Sequence, residues 1–480
     1  MFAVLYHMKY GILVAFFFGI AELVNAQNTV GQLLAQWEME PALKTATWSF
    51  NMVRVEDGNT IASRNPDTCL PLASGMKAIT TLAAYEVLGK DFRWETTLKT
   101  DGILTDSILN GNLILHGYGD PTLGSSRITG SDRFDTLFRS WAATLYASGI
   151  RVIQGRILTD LSSMDNDPVP GSWNWDDIGQ YYGAGCYATN IFENTYTLYY
   201  SSTSSKTRID SIFPTIDGME VTNDVTVSGS RDNAFIYGAP GDLHRRVTGY
   251  IPANRKAFEV DGSMPDPPAF AVQELKKALT DAGIEIRQSS MTEKAQTKVL
   301  ISHQSPVLDS VIWHTNRKSI NLYAESILKT MAWKQTGTGS YTSGFKAVRS
   351  VLSKTGANMD GFNMEDGSGL SRLNAVSSAQ MTAFLSYAYR QPFGTSYLES
   401  LSVSGVSGTL KNITGGTVAE GKVFAKSGSM QKVRSYSGFV QASDGKLYAF
   451  CIIVNNYNCS SSVIRKKLED LMVAMVRYAP

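Results

Sequence analysis

A serine and a lysine stand three positions apart at the start of an apolar stretch, in PLASGMKAIT (residues 71–80). On a helix this spacing places Ser74 and Lys77 on one face, with Cβ atoms about 5–6 Å apart. A serine becomes a nucleophile when a base takes its proton, and a lysine is that base when burial lowers its pKa. The pair therefore predicts an activated serine, although residues 343–346 and 429–432 also read Ser-x-x-Lys, so the spacing alone is weak evidence.

A second polar pair, Ser319 and Asn321, is separated by one residue. In an extended or turn segment, side chains at this spacing point the same way. They would offer a hydroxyl and an amide to a bound peptide and to the serine–lysine pair. The alternative makes Ser319 the N-cap of the helix that follows, and both interpretations can hold together.

The third string, Lys426-Ser427-Gly428, follows the strand-like GKVFA. A cation and a hydroxyl bind a carboxylate, and glycine allows another backbone to approach closely. An edge strand at this point could pair with an extended peptide. Residues 354–356 read Lys-Thr-Gly, but they end a helical pattern in which the glycine is a C-cap, so we assign the site to Lys426.

Helical and strand patterns place these strings on different elements. A buried helix is predicted from about residue 75 to 88, with Gly89 as its C-cap. Alternating strand patterns dominate from about 96 to 290 and return near the C-terminus. Further helices are predicted at 270–283, 321–337, 343–356 and 461–479. The nucleophile therefore opens one helix, the serine–asparagine pair precedes another, and the lysine–glycine string lies on a strand.

Composition excludes several classes of protein. The 480 residues carry a formal charge of +1 and are 43% hydrophobic, so neither nucleic acid nor an anionic membrane is an expected partner. The five histidines are scattered and no CxxC or HExxH string occurs, so we predict no metal and no cofactor. The pairing of the four cysteines cannot be deduced from the sequence; they are Cys69, Cys186, Cys451 and Cys459.

The first 26 residues predict a secretory signal peptide. A lysine precedes an apolar run, and Val24-Asn25-Ala26 fits a small-residue cleavage site before Gln27. The alternative, a transmembrane anchor, is disfavoured because the run is short and contains Glu22. We therefore expect export across the inner membrane to the bacterial periplasm or cell envelope, with no anchor after cleavage.

Taken in order, the three strings resemble the motif set of the class C low-molecular-mass penicillin-binding proteins, of the D-alanyl-D-alanine carboxypeptidase/endopeptidase type. The resemblance extends over most of the chain, and a long insertion between the first and second strings is typical of that family. Serine at position 427 replaces the family's threonine and keeps the hydroxyl. The other matching strings are GYGDPTL (117–123), GSWNWDDI (171–178), SINLYAE (319–325), DGSGLSR (366–372) and GTL (408–410).

The resemblance implies an α/β (α+β) protein with the penicillin-binding, β-lactamase-like serine transpeptidase fold. Its five-stranded antiparallel sheet would be flanked by helices. Residues 28–95 and 290–480 would form the catalytic penicillin-binding domain. Residues 96–289 would form a large β-rich insertion made of two smaller domains.

The implied activity is that of a serine-type D-Ala-D-Ala carboxypeptidase or DD-endopeptidase. Ser74 would attack the penultimate D-alanine carbonyl of a peptidoglycan stem peptide while Lys77 takes its proton. Lys426 would lower the pKa of Lys77. Ser319 would relay a proton to the leaving amine, and Asn321 would hold the peptide backbone.

The resemblance also implies roles in substrate binding. Ser427 would bind the terminal carboxylate together with the lysine before it, and Gly428 would leave room for the peptide. The backbone N–H groups of Ser74 and Ser429 would form the oxyanion hole. Asp160 resembles a family aspartate that binds the cross-linking diamino acid.

β-Lactam antibiotics would inhibit the enzyme by acylating the serine. One rival is a β-lactamase, which the long insertion disfavours. The other is a catalytically silent cell-wall-binding module, which the chemically competent motif positions disfavour.

Overall fold

The computed structural model describes residues 29–288 and 296–479. The predicted signal peptide, residues 1–26, and the predicted boundary at 289/290 both lie outside these described residues. Within them, no helix combines the length and the apolar character that crossing a bilayer requires.

The helices are numbered along the described chain. They are α1 (Thr29–Glu38), α2 (Met76–Leu88), α3 (Phe134–Ala147), α4 (Trp175–Ile178), α5 (Pro267–Asp281), α6 (Leu308–Lys318), α7 (Asn321–Thr336), α8 (Tyr341–Leu352), α9 (Ser378–Arg390), α10 (Gly394–Ser400) and α11 (Ser461–Val476). Short 3₁₀ turns include Ala73–Gly75, Phe192–Asn194 and Gly408–Leu410.

The strands are numbered in the same way. They are β1 (Thr47–Arg54), β2 (Thr60–Arg64), β3 (Glu95–Thr100), β4 (Ile103–Thr105), β5 (Ile108–Asn110), β6 (Leu113–His116), β7 (Val152–Gln154), β8 (Ile157–Asp160), β9 (Thr195–Ser202), β10 (Thr207–Phe213), β11 (Glu220–Asn223), β12 (Thr226–Val227), β13 (Asn233–Tyr237), β14 (His244–Ile251), β15 (Phe258–Ser263), β16 (Glu285–Arg287), β17 (Lys298–Gln304), β18 (Ser402–Val403), β19 (Val423–Met430), β20 (Val433–Gln441) and β21 (Leu447–Asn455).

A six-stranded antiparallel sheet in the order β18-β19-β20-β21-β1-β2 forms the centre of the catalytic part. Apolar side chains along its strands project alternately to the two faces of the sheet, because successive strand residues point in opposite directions. On β21, Phe450 and Ile452 pack towards α1 and α11, whereas Cys451 and Ile453 pack towards α2, α7, α8 and α9. Helices therefore cover both faces, as the fold class predicts. The sheet has six strands rather than the expected five.

The inserted region contains four smaller sheets and its own apolar core, to which α3 and α5 contribute. β17 pairs antiparallel with β3, so residues 298–304 share a sheet with the inserted region. The sequence places that segment in the catalytic part. We therefore propose that the division lies after Gln304, where the chain enters α6.

The structure records Cys69, Cys186, Cys451 and Cys459 as free thiols. Cys186 and Cys451 are buried and act as small apolar residues in the core. No pairing among these four is present.

Candidate active site

Ser74 lies in the short 3₁₀ turn that leads into α2. Ala73 has a φ of +51°, in the left-handed region that costs free energy for a residue with a side chain. The turn is held from two sides: the Ser435 hydroxyl donates to the Leu72 carbonyl at 2.5 Å, and Gly369 packs against the Ala73 carbonyl. A strained but well-supported turn thus presents Ser74 to the cleft.

Lys77 is completely buried one turn further along α2. Its Nζ donates to Ser74 Oγ at 3.0 Å, to Asn321 Oδ1 at 2.6 Å and to the Ser368 carbonyl at 2.7 Å. Burial lowers the pKa of Lys77 to about 7, against the opposing influence of nearby carboxylates. The amine is therefore within hydrogen-bonding distance of the hydroxyl that it would deprotonate, with a pKa suited to a base at neutral pH.

Two buried carboxylates fix the loop that contacts Lys77. Glu325 accepts the backbone N–H groups of Gly367 and Ser368, both at 2.8 Å, and burial raises its pKa. Asp366 accepts the indole N–H of Trp173 at 2.9 Å, from the inserted region. It also accepts from Gly369 N, Ser371 N and Asn374 Nδ2. The motif strings at 319–325 and 366–372 contain these residues, but sequence reasoning assigned them no role.

Lys426 is also completely buried, on β19. Its Nζ donates to Ser319 Oγ at 2.9 Å and to the Ser427 carbonyl at 2.9 Å. Burial, and then the charge of Lys77, lower its pKa well below the usual value. Each lysine therefore has a serine hydroxyl within hydrogen-bonding distance.

Ser319 ends α6 in a left-handed conformation, with a φ of +59°. Ile320, not Ser319, occupies the N-cap position of α7, and no side chain caps that helix. The N-cap interpretation of Ser319 is therefore wrong. The conformation directs its hydroxyl to Lys426 instead.

The glycine of the third string has a steric explanation. A Cβ on Gly428 would lie 2.0 Å from the Leu72 carbonyl and 2.3 Å from Ser435 Oγ. β19 therefore packs directly against the turn that carries the nucleophile. Beside it, Ser427 Oγ donates to Thr409 Oγ1 at 2.8 Å, which places two hydroxyls next to Lys426.

The backbone of Ser429 is directed towards the cleft. Met430 and Val433 flank a two-residue turn, and in such a hairpin they are a hydrogen-bonded pair. Paired and unpaired positions alternate along an antiparallel ladder, so Ser429 opposite Arg434 is unpaired with β20. Its N–H therefore points to the open edge of β19, where it can donate to a bound carbonyl.

A cleft of about 830 Å³ joins these groups to the inserted region. Four predicted residues line it: Ser74, Ser319, Asn321 and Ser429. Lys77, Lys426, Ser427 and Gly428 lie directly behind them, through the contacts given above. Side chains that sequence reasoning missed line the remaining walls, namely Arg127, Asp176, Asp177, Tyr181, Tyr182, Glu193, Phe235, Lys318, Arg372 and Gln431.

The inserted region also holds the Asn321 side chain in place. The Asn321 amide donates to the Tyr182 carbonyl at 2.7 Å while its oxygen accepts from Lys77. Asp176 and Asp177 precede that tyrosine, in the string GSWNWDDI. This string was therefore the sequence feature from which an acidic wall of the cleft could have been predicted.

Asp160 does not join the cleft. It lies at the end of β8, where its carboxylate is 3.1 Å from His116 Nδ1. Lys99 Nζ is 2.6 Å from the same nitrogen. His116 stacks on Tyr118, which contacts Trp333 in the last turns of α7. Trp333 is twelve residues beyond Asn321 on α7, about 18 Å along the helix axis. Asp160 is therefore not brought together with the other predicted residues, and its role in substrate binding stays a prediction.

A sequence model of the D-Ala-D-Ala carboxypeptidase 3 (S13) family matches residues 30–478. A D-alanyl-D-alanine carboxypeptidase of Actinomadura sp. (strain R39) is 28% identical over 465 residues, covering 92% of this chain and 83% of that protein. The D-alanyl-D-alanine carboxypeptidase DacB of Haemophilus influenzae is 27% identical over 433 residues, covering 88% of each. The crystal structure of penicillin-binding protein 4 from H. influenzae superposes with a TM-score of 0.76 at 24% identity, covering 90% of this chain and 96% of that one.

Proposed function

This chain belongs to the D-Ala-D-Ala carboxypeptidase 3 (S13) family, and from that premise we propose that Ser74 is the nucleophile of a serine DD-peptidase acting on peptidoglycan stem peptides. The observation that carries the assignment is the position of Lys77. This one buried amine contacts the Ser74 hydroxyl, the Asn321 amide and the Ser368 carbonyl.

Acylation begins when neutral Lys77 takes the Ser74 proton. The Ser74 oxygen forms a bond to the carbonyl carbon of the penultimate residue, and the negative charge moves to the carbonyl oxygen. The N–H groups of Ser74 and Ser429 would stabilise that oxygen. Collapse of the intermediate breaks the C–N bond.

The departing amine needs a proton. Ser319 would relay it, because its hydroxyl contacts Lys426 and lines the cleft. The hydroxyl gives its proton to the amine and regains one from Lys426, and the proton that Lys77 took from Ser74 replaces the one that Lys426 gives up. Water then attacks the acyl-enzyme, releases the shortened peptide and returns the proton to Ser74. When the leaving group is a terminal D-alanine the reaction is carboxypeptidase action, and when it is a cross-linked strand the reaction is endopeptidase action.

The edge of β19 gives the bound peptide a direction. Ser427 and Thr409 would bind the leaving-group carboxylate at one end. Ser429 lies at the scissile carbonyl, and Gln431 lies beyond it. The acyl part of the substrate therefore extends towards Gln431, and the leaving part towards Ser427.

The acyl end has charges of both signs. Asp176 and Asp177 line the cleft from the inserted region, and Arg372 lines it from the catalytic part. These groups fit a substrate side chain with both an amine and a carboxylate. We assign recognition of a diamino acid to this wall.

We further propose that the protein works in the periplasm or cell envelope after export and that β-lactams acylate Ser74. A complex of H. influenzae penicillin-binding protein 4 with a β-lactam, which superposes with a TM-score of 0.72, supports the second part of this proposal, that β-lactams bind at this site.

Incubation with fluorescent penicillin, followed by peptide mapping, tests the assignment. We expect a long-lived adduct on Ser74 that Ser74→Ala abolishes and the matched control Ser343→Ala retains. Labelling that persists in Ser74→Ala contradicts the proposal. A rapidly hydrolysed adduct indicates a β-lactamase, and none at all in the wild type indicates a binding module.

A further inference from the structure

A strained turn lies at the edge of the cleft. Phe192, Glu193 and Asn194 have φ values of +50°, +58° and +55°, three successive non-glycine residues in the left-handed region. This conformation costs about 1–2 kcal/mol per residue. Strain of this kind persists where surrounding contacts enforce it, and such sites are frequently functional.

The turn places Glu193, whose side chain is only 9% exposed, in the cleft wall. It accepts the Ser125 hydroxyl at 2.8 Å and the Tyr323 hydroxyl at 2.9 Å. It also accepts Nε–H of Arg127. Glu193 thus fixes one side of a guanidinium whose side chain is 60% exposed and lines the cleft.

Arg127 lies beside the first turn of α7, because Glu193, which accepts from it, also accepts from Tyr323, two residues after Asn321. A Cβ on Gly408, next to the carboxylate-binding Thr409, would come within 3.0 Å of the Arg317 carbonyl, so the end of α6 borders the leaving side of the cleft. Lys318 follows and lines the cleft. Both cations, Arg127 and Lys318, therefore line the cleft where α6 ends and α7 begins.

We propose that Arg127, oriented by Glu193 and assisted by Lys318, binds a carboxylate of the leaving strand other than the one held by Ser427 and Thr409. The inference rests on the proposed function and specifies its substrate. A single departing D-alanine has only one carboxylate, whereas a cross-linked stem peptide carries more. The site therefore favours cross-linked peptide over a free terminal D-Ala-D-Ala.

A cycle of enzyme and substrate variants tests this directly. The substrates are two cross-linked muropeptide dimers that differ only in the leaving strand, which carries free carboxylates or carboxamides beyond the scissile residue. We expect the wild type to hydrolyse the carboxylate dimer with a kcat/KM about tenfold higher, since a charge-assisted hydrogen bond of this kind stabilises by that order. Arg127→Gln should reduce this preference to about one.

Further variants separate binding from a structural role. Glu193→Gln keeps the shape of the side chain but should lower the carboxylate preference, mainly through KM. Arg127→Lys should restore part of it. The matched control Arg139→Gln, on the exposed face of α3, should retain the preference in full.

Two kinds of failure are distinguishable. If the wild type hydrolyses both dimers equally, or Arg127→Gln keeps the preference, the inference is overturned while the peptidase assignment stands. If the wild type hydrolyses neither dimer and forms no penicillin adduct, the proposed function itself has failed.

Discussion

Two fully buried lysines, Lys77 and Lys426, lie behind the same cleft. Their different contacts indicate different roles. Lys77 contacts the nucleophile, whereas Lys426 contacts Ser319 and the strand that would bind substrate. Burial disfavours the charged form of both amines, and the charge of Lys77 further lowers the pKa of Lys426. Burial costs free energy, but because it lowers the pKa it also makes one amine, Lys77, available as a base near neutral pH.

The acylation rate should therefore depend on pH. The neutral form of Lys77 is the proposed base, and the fraction of Lys77 in this form rises as pH increases through a pKa of about 7. We expect the second-order rate of penicillin acylation to rise with an inflection near that pH and to fall about tenfold per pH unit well below it.

Stopped-flow fluorescence between pH 5 and pH 9 measures this profile. Lys77→Arg should not be acylated at any pH in this range, because arginine stays protonated. The control Lys354→Arg, at the rejected Lys-Thr-Gly string, should reproduce the wild-type profile. A flat wild-type profile would show that another group is the base.

At the scale of elements, the site is assembled where α2, α7 and β19 meet the loop at 366–372. The loop is held by carboxylates from two directions, Glu325 on α7 and its own Asp366. The inserted region reaches the same loop through Trp173, which is 6% exposed. This indole bond makes the insertion part of the support for Lys77.

Replacing Trp173 with phenylalanine should weaken that support. Asp366 would lose one buried donor, at a cost of about 1–3 kcal/mol, and the Ser368 carbonyl would shift relative to Lys77. Because small misplacements of reacting groups are costly, we expect penicillin acylation to slow roughly ten- to hundredfold. Trp175→Phe, in the same string but 56% exposed, is the matched control. Equal rates in both variants would refute this role of the indole bond.

At the scale of the whole molecule, sequence reasoning located the motif strings on the correct local elements, because each string contains the residue types that indicate its element. Ser74, Ser319 and Lys426 are far apart in sequence, yet each string predicted both a residue type and a local element. Sequence reasoning could not give a position that depends on tertiary packing. Asp160 has a suitable side chain, but the pairing of β6 with β8 places it beside His116 instead of the cleft.

The cleft wall formed by the inserted region was not predictable for the same reason. The Arg127 guanidinium is oriented by Glu193, the middle of three consecutive left-handed residues, and such a run is rare for residues other than glycine. Likewise, β17 reads as part of the catalytic segment, and only its pairing with β3 reveals its sheet.

The insertion and the catalytic part are also joined by a buried ion pair. Lys329 on α7 has a fully buried side chain, and its Nζ lies 2.6 Å from Asp165 and 3.0 Å from the Asp167 carbonyl. Burying a charge is tolerated when a partner compensates it. Asp165→Ala would leave the ammonium without a carboxylate, with only the Asp167 carbonyl and the Tyr341 ring, 5.1 Å away, beside it. The ion pair therefore bears on the stability of the entire chain.

We expect Asp165→Ala to destabilise the protein by about 3 kcal/mol, because breaking a buried pair leaves an uncompensated charge. Thermal unfolding should show a lower Tm and separation into two transitions, as the inserted and catalytic parts lose a shared contact. Asp470→Ala removes the partner of Lys466 in an exposed pair and should cost less than about 1 kcal/mol. Adding Lys329→Met to Asp165→Ala should recover most of the lost stability, since the unpaired charge at position 329 is then removed. A double variant as unstable as the single one would show that Asp165 acts through packing and not through its charge.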